Sequence, residues 1–237
     1  MVRPGAIGRT RRIKKDMDSV RSAQPAPVPP RISADAATHA LTPPTFQVPQ
    51  DLHVHTVFSH LDSAVAEAQT LDLIAAMGHA RVIGISDHLD NLVERSVEEY
   101  IQAVRAHGFR IGIEACAPEW VEMAAGLPVE YYVYHCLDTD AGYAGAGHLL
   151  ETGRPVIIAH PMVIGTNLDR VPPDCLVEIN NRYVWQNDWR AKIGPHARRF
   201  RFVINSDAHQ PHWLNQSVAR YVARELGIQE TLLFPER

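Results

Sequence analysis

Residues 81–88, with the sequence RVIGISDH, decide the fold of this chain. The run RVIGIS is apolar and β-branched without alternation, which predicts a strand covered on both faces, as in a parallel sheet. An acid and an imidazole, Asp87 and His88, follow it directly. Six other segments also predict short strands, most of them with polar residues at the carboxyl end: 52–55, 109–114, 130–135, 155–160, 176–180 and 201–206.

Helical patterns lie between these predicted strands. Residues 63–78 carry apolar side chains at i, i+3, i+4 spacing and stop at Gly78. Residues 96–108 open with a capping box formed by Ser96 and Glu99. Weaker helices are predicted at 118–125, 142–151, 188–199 and 216–226. Seven strands that alternate with helices predict one parallel α/β barrel-like domain.

Composition and charge separate the chain into two parts. Of its 237 residues, 46% are apolar and 21% charged, which is ordinary globular composition. Residues 1–45 are rich in Pro and Ala, lack periodicity and predict a flexible basic extension, so that the barrel domain should span 46–237. Residues 1–48 carry a net charge of +5 within a total of −4, which leaves −9 for the rest. An acidic body disfavours duplex nucleic acid as a partner.

Cysteine usage and hydropathy favour a cytoplasmic location. Cys116, Cys136 and Cys175 are widely spaced and odd in number, which is typical of reduced thiols. No apolar run approaches the roughly 20 residues of a membrane helix, so no membrane partner is expected. The oligomeric state stays open.

Acids and histidines gather at the carboxyl ends of the predicted strands. Since these ends form one face of an α/β barrel, the side chains should converge in space. They are His53, His55, Asp87, His88, Glu114, His135, His160, Asp207 and His209.

This convergence predicts a metal centre. His53 and His55 end the first predicted strand and project to the same side of it, so both can bind one ion at about 2.1 Å. Glu114, near the centre, is placed to bridge two cations. Imidazole with carboxylate suits Zn, Mn or Fe. Each histidine alone would more often be a hydrogen-bonded core residue, but buried acids and imidazoles together are costly unless they share a cation.

The motifs HVH, SDH, GIE, AHP and SDAH, in this order, resemble those of the PHP (polymerase and histidinol phosphatase) superfamily over about residues 46–225. The resemblance implies a distorted seven-stranded (βα)7 TIM-like barrel, two or three divalent metals per chain and phosphoesterase activity. It implies a first metal on His53, His55, Glu114 and Asp207, and a second on Glu114, His135 and His160. The third would take His88, His209 and Asp62, with His60 as the alternative to Asp62.

The functional hypothesis is metal-dependent hydrolysis of a phosphomonoester, either a small phosphorylated metabolite or a nucleotide, by a metal-activated water. Asp87 would orient a ligand, and a nearby imidazole such as His209 would assist the leaving oxygen. Arg182 would clamp the phosphate, although a surface arginine fits the sequence as well. Asp62 would also serve as a cap for a helix that begins at Ser63.

Two alternatives remain. An amidohydrolase-type barrel also begins with HxH and ends with a strand-borne Asp, but it typically has a carboxylated Lys on the fourth strand, and EYYVYH at 130–135 has none. The other alternative is a non-catalytic, metal-binding regulatory barrel that has lost turnover.

Overall fold

The computed structural model describes residues 47–94 and 96–235. Within these ranges, seven strands form one sheet in chain order, and each neighbouring pair is parallel. The strands are β1 (Val48–Asp51), β2 (Ala80–Ile85), β3 (Arg110–Ala115), β4 (Tyr131–Tyr134), β5 (Val156–Ile158), β6 (Leu176–Asn180) and β7 (Arg201–Asn205). The extension predicted at residues 1–45 lies outside the described residues.

Helices follow the strands and cover the sheet. They are α1 (Leu71–Met77), α2 (Leu89–Val93), α3 (Val97–Ala106), α4 (Val121–Gly126), α5 (Asp140–Glu151), α6 (Pro161–Ile164), α7 (Trp189–Lys192) and α8 (Ser217–Glu225). Short 3-10 turns lie at Pro118–Trp120, Val184–Gln186, Gly194–His196 and Pro211–Trp213. The predicted TIM-like barrel with seven parallel strands is confirmed. None of the helices in the described ranges has the length and apolar character needed to cross a bilayer.

The barrel closes between β1 and β7 through side chains and one isolated bridge instead of a continuous backbone ladder. Across this seam, the amide of Leu52 donates to Asn205 Oδ1 (2.9 Å), and the amide of Ser206 donates to Asp51 Oδ1 (3.0 Å). Val54 forms the bridge with Ala208. The segments that follow the first and last strands are therefore held side by side.

A large apolar core lies between the sheet and its helices, and a smaller one fills the barrel. In the smaller core the ring of Tyr131 lies against Gly84 and Gly112, where a Cβ atom would collide with it. The Tyr131 hydroxyl donates to the carbonyl of Leu52 (2.7 Å). The side chains of Leu233 and Phe234 pack against this core. The interior is thus filled with side chains, as expected for a barrel of this size.

Two sequence predictions near the first strand are wrong. The strand lies at Val48–Asp51 and not at 52–55, so His53 and His55 follow the strand instead of ending it. The helix predicted from 63 to 78 is reduced to α1, because residues 57–69 form a loop tied down by other segments. In this loop the amide of Ala66 donates to the carbonyl of His209 (3.0 Å).

Local helix signals are confirmed elsewhere. The Ser96 side chain accepts from the amide of Glu99 at the start of α3. Gly78 ends α1 with φ +50°, a conformation in which glycine is favoured.

Candidate metal centre

The structure brings together nearly all the side chains that the sequence placed at strand ends. Five histidines surround Glu114, which is 1% exposed at the carboxyl end of β3. Three of their imidazoles are buried and two are partly buried. Nitrogen atoms of all five lie within 3.5 Å of its carboxylate: His53 (3.2 Å), His55 (3.2 Å), His88 (2.9 Å), His135 (2.6 Å) and His160 (3.5 Å).

The first pair of imidazoles is His53 and His55. Their Nε2 atoms are 3.0 Å apart, and Asp207 Oδ1 lies 3.7 Å from the first and 3.5 Å from the second. Two nitrogens at this separation can both lie about 2.1 Å from one ion. The Nδ1 atom of His53 meets Glu178 Oε1 at 2.8 Å, so that Nε2 is the nitrogen left to face a cation.

The second pair, His135 and His160, also contacts Glu114. Their Nε2 atoms are 3.1 Å apart, and both approach Oε1 of Glu114, which His53 Nε2 approaches as well (3.2 Å). The carboxylate is therefore shared by two pairs of converging imidazole nitrogens. A carboxylate shared in this way is suited to bridging two ions.

A third group forms at the loop that follows His55. Asp62 Oδ2 lies 3.0 Å from His209 Nε2 and 3.3 Å from His88 Nε2. Hydrogen bonds from these two imidazoles hold the pKa of Asp62 well below its usual value. His60, the alternative ligand, is exposed and faces the carbonyl of Phe58 (3.3 Å), so it lies outside this group. Asp62 Oδ1 accepts from the amide of Ala64 (2.7 Å) within a turn. No helix begins at Ser63, so the predicted helix cap is wrong.

Replacing Asp62 tests this third group. We expect Asp62→Asn to weaken metal affinity by about 10- to 100-fold, because the amide removes a negative charge beside two imidazoles. A titration against a competing chelator measures the change. His60→Ala is the matched control from the same loop and should leave affinity unaltered; a larger effect of His60→Ala would reverse the assignment.

The electrostatics of the cluster favour bound cations. Burial opposes charge on the imidazole of His53, but Glu178, Glu114 and Asp207 outweigh burial and raise its pKa well above the usual value. Burial, together with His209 and His88, lowers the pKa of His55 instead. The site thus combines a field that attracts positive charge with an imidazole that stays neutral, the form that binds metal.

The donor set of the cluster fits a metal ion. Ligand atoms of His53, His55 and Asp207 lie within 4.8 Å of one another, and so do those of His53, Glu114 and His160. The chemistry of the donors, imidazole nitrogen and carboxylate oxygen, suits Zn, Mn or Fe. Several such groups that could hold an ion occur in the cluster.

The backbone is strained at two of these side chains. His160 (φ 21°) and Asp207 (φ 54°) are the non-glycine residues with positive φ in the described ranges. Such conformations persist where surrounding contacts enforce them, and they concentrate at functional sites. For His160, one of those contacts is the bond from its amide to Glu178 Oε2 (2.8 Å).

Glu178, in the middle of β6, holds the ligands in place. Its Oε1 accepts from Asn205 Nδ2 (2.9 Å) and meets His53 Nδ1, and its Oε2 accepts from Asn180 Nδ2 (2.9 Å) and from the amide of His160. Four donors saturate the carboxylate, so it positions ligands and does not bind an ion.

Sequence reasoning did not single out Asn180, Asn205 or Cys116. The two asparagines end β6 and β7 and support Glu178. Cys116 Sγ lies 3.0 Å from His88 Nδ1. Cys116 follows Glu114 by two residues, the same spacing as between His53 and His55. This spacing could have predicted that Cys116 lies near the cluster.

Asp87, which the hypothesis has orienting a ligand, contacts the loop that follows His55. It is fully buried and accepts from the amide (2.7 Å) and hydroxyl (2.7 Å) of Thr56 and from the hydroxyl of Ser59 (2.6 Å). Burial, opposed by these hydrogen bonds, raises its pKa to about 6. Asp87 therefore fixes the start of the loop that carries Asp62.

Arg182 lies at the rim of the centre. Its Nη1 atom is 3.1 Å from His209 Nδ1 and 3.6 Å from Asp207 Oδ1. The guanidinium stacks against the rings of Tyr183 (4.8 Å) and Trp213 (4.9 Å). These contacts fix a positive charge beside the cluster.

Neither a protein-family model nor a curated protein matches the chain. Similar solved structures include dihydropteroate synthase from Xanthomonas albilineans with 4-aminobenzoic acid, at a TM-score of 0.46 and 9% identity over 78% of this chain and 86% of that one. The same enzyme in complex with 7,8-dihydropteroate has a TM-score of 0.45 and 11% identity, again over 78% of this chain and 86% of that one. A cube-shaped, highly porous designed protein cage has a TM-score of 0.38 and 12% identity over 77% of this chain and 74% of that one.

The assignment to the PHP superfamily, made from sequence resemblance, is wrong. No model of that family matches, and the similar solved structures include dihydropteroate synthases, which belong to a different enzyme family. At these identities and TM-scores the likenesses say nothing about substrate or reaction. The chemistry of the site therefore rests on its own geometry.

Proposed function

We propose that the protein is a metal-dependent hydrolase that cleaves a phosphate monoester, either a small phosphorylated metabolite or a nucleotide. The observation that carries this proposal is that Glu114 contacts both the pair His53 and His55 and the pair His135 and His160. A carboxylate in this position supports two divalent cations, and the group around Asp62 supports a third. The face at the carboxyl ends of barrel strands is where active sites of this architecture are built.

Bound divalent ions would supply an activated water and charge neutralisation on the phosphoryl group. Within the chain, Glu178 orients His53, and Glu114 and Asp207 supply the negative charge that retains cations. Arg182 is placed to donate to a phosphoryl oxygen, in the manner of arginine in phosphate sites. His209, with His88 and Asp62, would hold the third cation, which would stabilise the leaving oxygen.

A guanidinium at the rim favours a phosphate ester over an amide. The amidohydrolase alternative needs a lysine on the fourth strand, and β4 contains none. The described residues include one lysine, Lys192, which lies in α7. No observation therefore favours that alternative.

Metal removal is the direct test. Chelator-stripped protein should release phosphate from p-nitrophenyl phosphate more than about 100-fold more slowly than protein loaded with Mn or Zn, and reloading should restore the rate. When the free metal is present at 100 times its Kd, its removal lowers the free energy of unfolding by about 2.7 kcal/mol. For a domain of this size we therefore expect the Tm to fall by roughly 5–10 °C.

The same assay contains its own controls. The diester bis(p-nitrophenyl) phosphate should be the poorer substrate, and His148→Ala, an exposed histidine outside the cluster, should behave as wild type. Protein that holds two or more ions yet releases phosphate from neither ester would be a metal-binding barrel without turnover. Protein that holds no ion at all would refute the metal centre itself.

A further inference from the structure

A cavity of about 440 Å³ adjoins the metal centre on the side of β6 and β7. Its walls combine aromatic rings, an arginine and polar side chains, among them Arg182, Tyr183, Trp185, Gln186, Ser206 and Trp213. None of these is one of the ligands described above. The cavity is therefore a separate space with its own chemistry.

The wall between the cavity and the metal centre is shared. Tyr183 packs against the ring of His160 (5.4 Å between centroids), and Trp213 packs against that of His209 (6.1 Å). The guanidinium of Arg182 lies between these two aromatic rings. A phosphate held by Arg182 at the centre would thus point its ester group toward the cavity.

The cavity offers an aromatic surface that the protein itself does not cover. Trp185 is 64% exposed, although it is among the largest apolar side chains. Its indole N–H already donates to the carbonyl of Arg182 (2.9 Å), which fixes the ring and leaves its faces for another molecule. Fixed, exposed indole rings bind planar groups by stacking.

We propose that this cavity binds the alcohol portion of the substrate, and that this portion carries a planar aromatic ring. The inference rests on the proposed function, because the phosphate would occupy the adjoining centre. It narrows the substrate from any small phosphomonoester to one whose ester group stacks on Trp185.

Kinetics with two matched esters test the ring. The esters 2-(1-naphthyl)ethyl phosphate and ethyl phosphate have leaving alcohols of similar acidity, so a difference in kcat/KM reports binding of the ring. We expect the naphthyl ester to be preferred by about tenfold or more. Trp185→Ala should reduce this preference about tenfold through KM, and Trp185→Phe should retain most of it. Tyr221→Ala, an exposed aromatic residue on α8, is the control that should change nothing.

A binding measurement separates this inference from the proposed function. Calorimetry with 2-(1-naphthyl)ethylphosphonate and ethylphosphonate needs no turnover. Tighter binding of the naphthyl compound that depends on Trp185, without hydrolysis of any ester, would support the cavity and reject the phosphoesterase. Metal-dependent hydrolysis with equal kcat/KM for both esters, unaffected by Trp185→Ala, would reject the cavity and keep the phosphoesterase.

Discussion

Replacing Glu114 with glutamine should lower metal-dependent phosphate release by more than about 100-fold and reduce the metal content of the protein. The carboxylate is approached within 3.5 Å by nitrogens of five histidines, more than any other acid of the centre. Glutamine keeps the shape of the side chain but removes the negative charge and places an amide N–H₂ toward nitrogens that face a cation. The loss therefore reports the charge and not the volume.

The fold should survive this change. The imidazoles around Glu114 lower its pKa well below the usual value against the effect of burial, so the wild-type side chain is an anion held by its neighbours. The two apolar cores do not include it. Metal analysis by mass spectrometry, activity and circular dichroism should be recorded together, with His148→Ala as the control. Full metal content and full activity in Glu114→Gln would mean that this carboxylate does not bridge ions.

Replacing Glu178 with alanine should have the largest effect on stability, a loss of about 3–5 kcal/mol in the free energy of unfolding. Four buried donors would lose their acceptor at once: two asparagine amides, the His53 ring and the backbone amide of His160. Each unsatisfied donor is costly. At about 2–4 °C per kcal/mol, the Tm should fall by roughly 10 °C.

Urea unfolding of three variants isolates the cause. Glu178→Gln keeps the volume and part of the acceptor capacity, so it should lose less than Glu178→Ala. Glu98→Ala, an exposed glutamate on α3, should stay within about 0.5 kcal/mol of the wild type. A loss below about 1 kcal/mol in Glu178→Ala would indicate that water replaces the carboxylate and that the four bonds add little.

The strands after the first could be predicted because their sequences carry the signal in themselves. Segments such as 155–160 and 201–206 are apolar runs flanked by helical patterns, and the structure has β5 and β7 there. β1 has the sequence VPQD, in which Pro49 and two polar residues hide a strand. Its polar side chains are buried because Asp51 accepts from the amide of Ser206 across the seam and Gln50 donates to the carbonyl of Thr231. One sequence segment cannot show partners more than 150 residues away.

The convergence of the site could be predicted from the same strand ends, but its details could not. The sequence favours Asp62 over His60 only through the family resemblance. The path of the loop, which Asp87 fixes through Thr56 and Ser59, brings Asp62 inward. The positive φ at His160 and Asp207 depends on contacts from distant segments. Local sequence patterns therefore predict neither the path of the loop nor the positive φ values.

The metal centre lies across the seam between β1 and β7, so a bound ion would also join the two sides of the barrel. His53 and His55 lie on one side of the seam and Asp207 on the other, so an ion bound by all three acts as a cross-link that encloses about 150 residues, as a disulfide would. Such a link restrains the unfolded chain and fastens the one place where the barrel lacks a backbone ladder. Loading with metal should therefore slow hydrogen exchange most at the amides of Leu52, His55 and Ser206, which bond across that line.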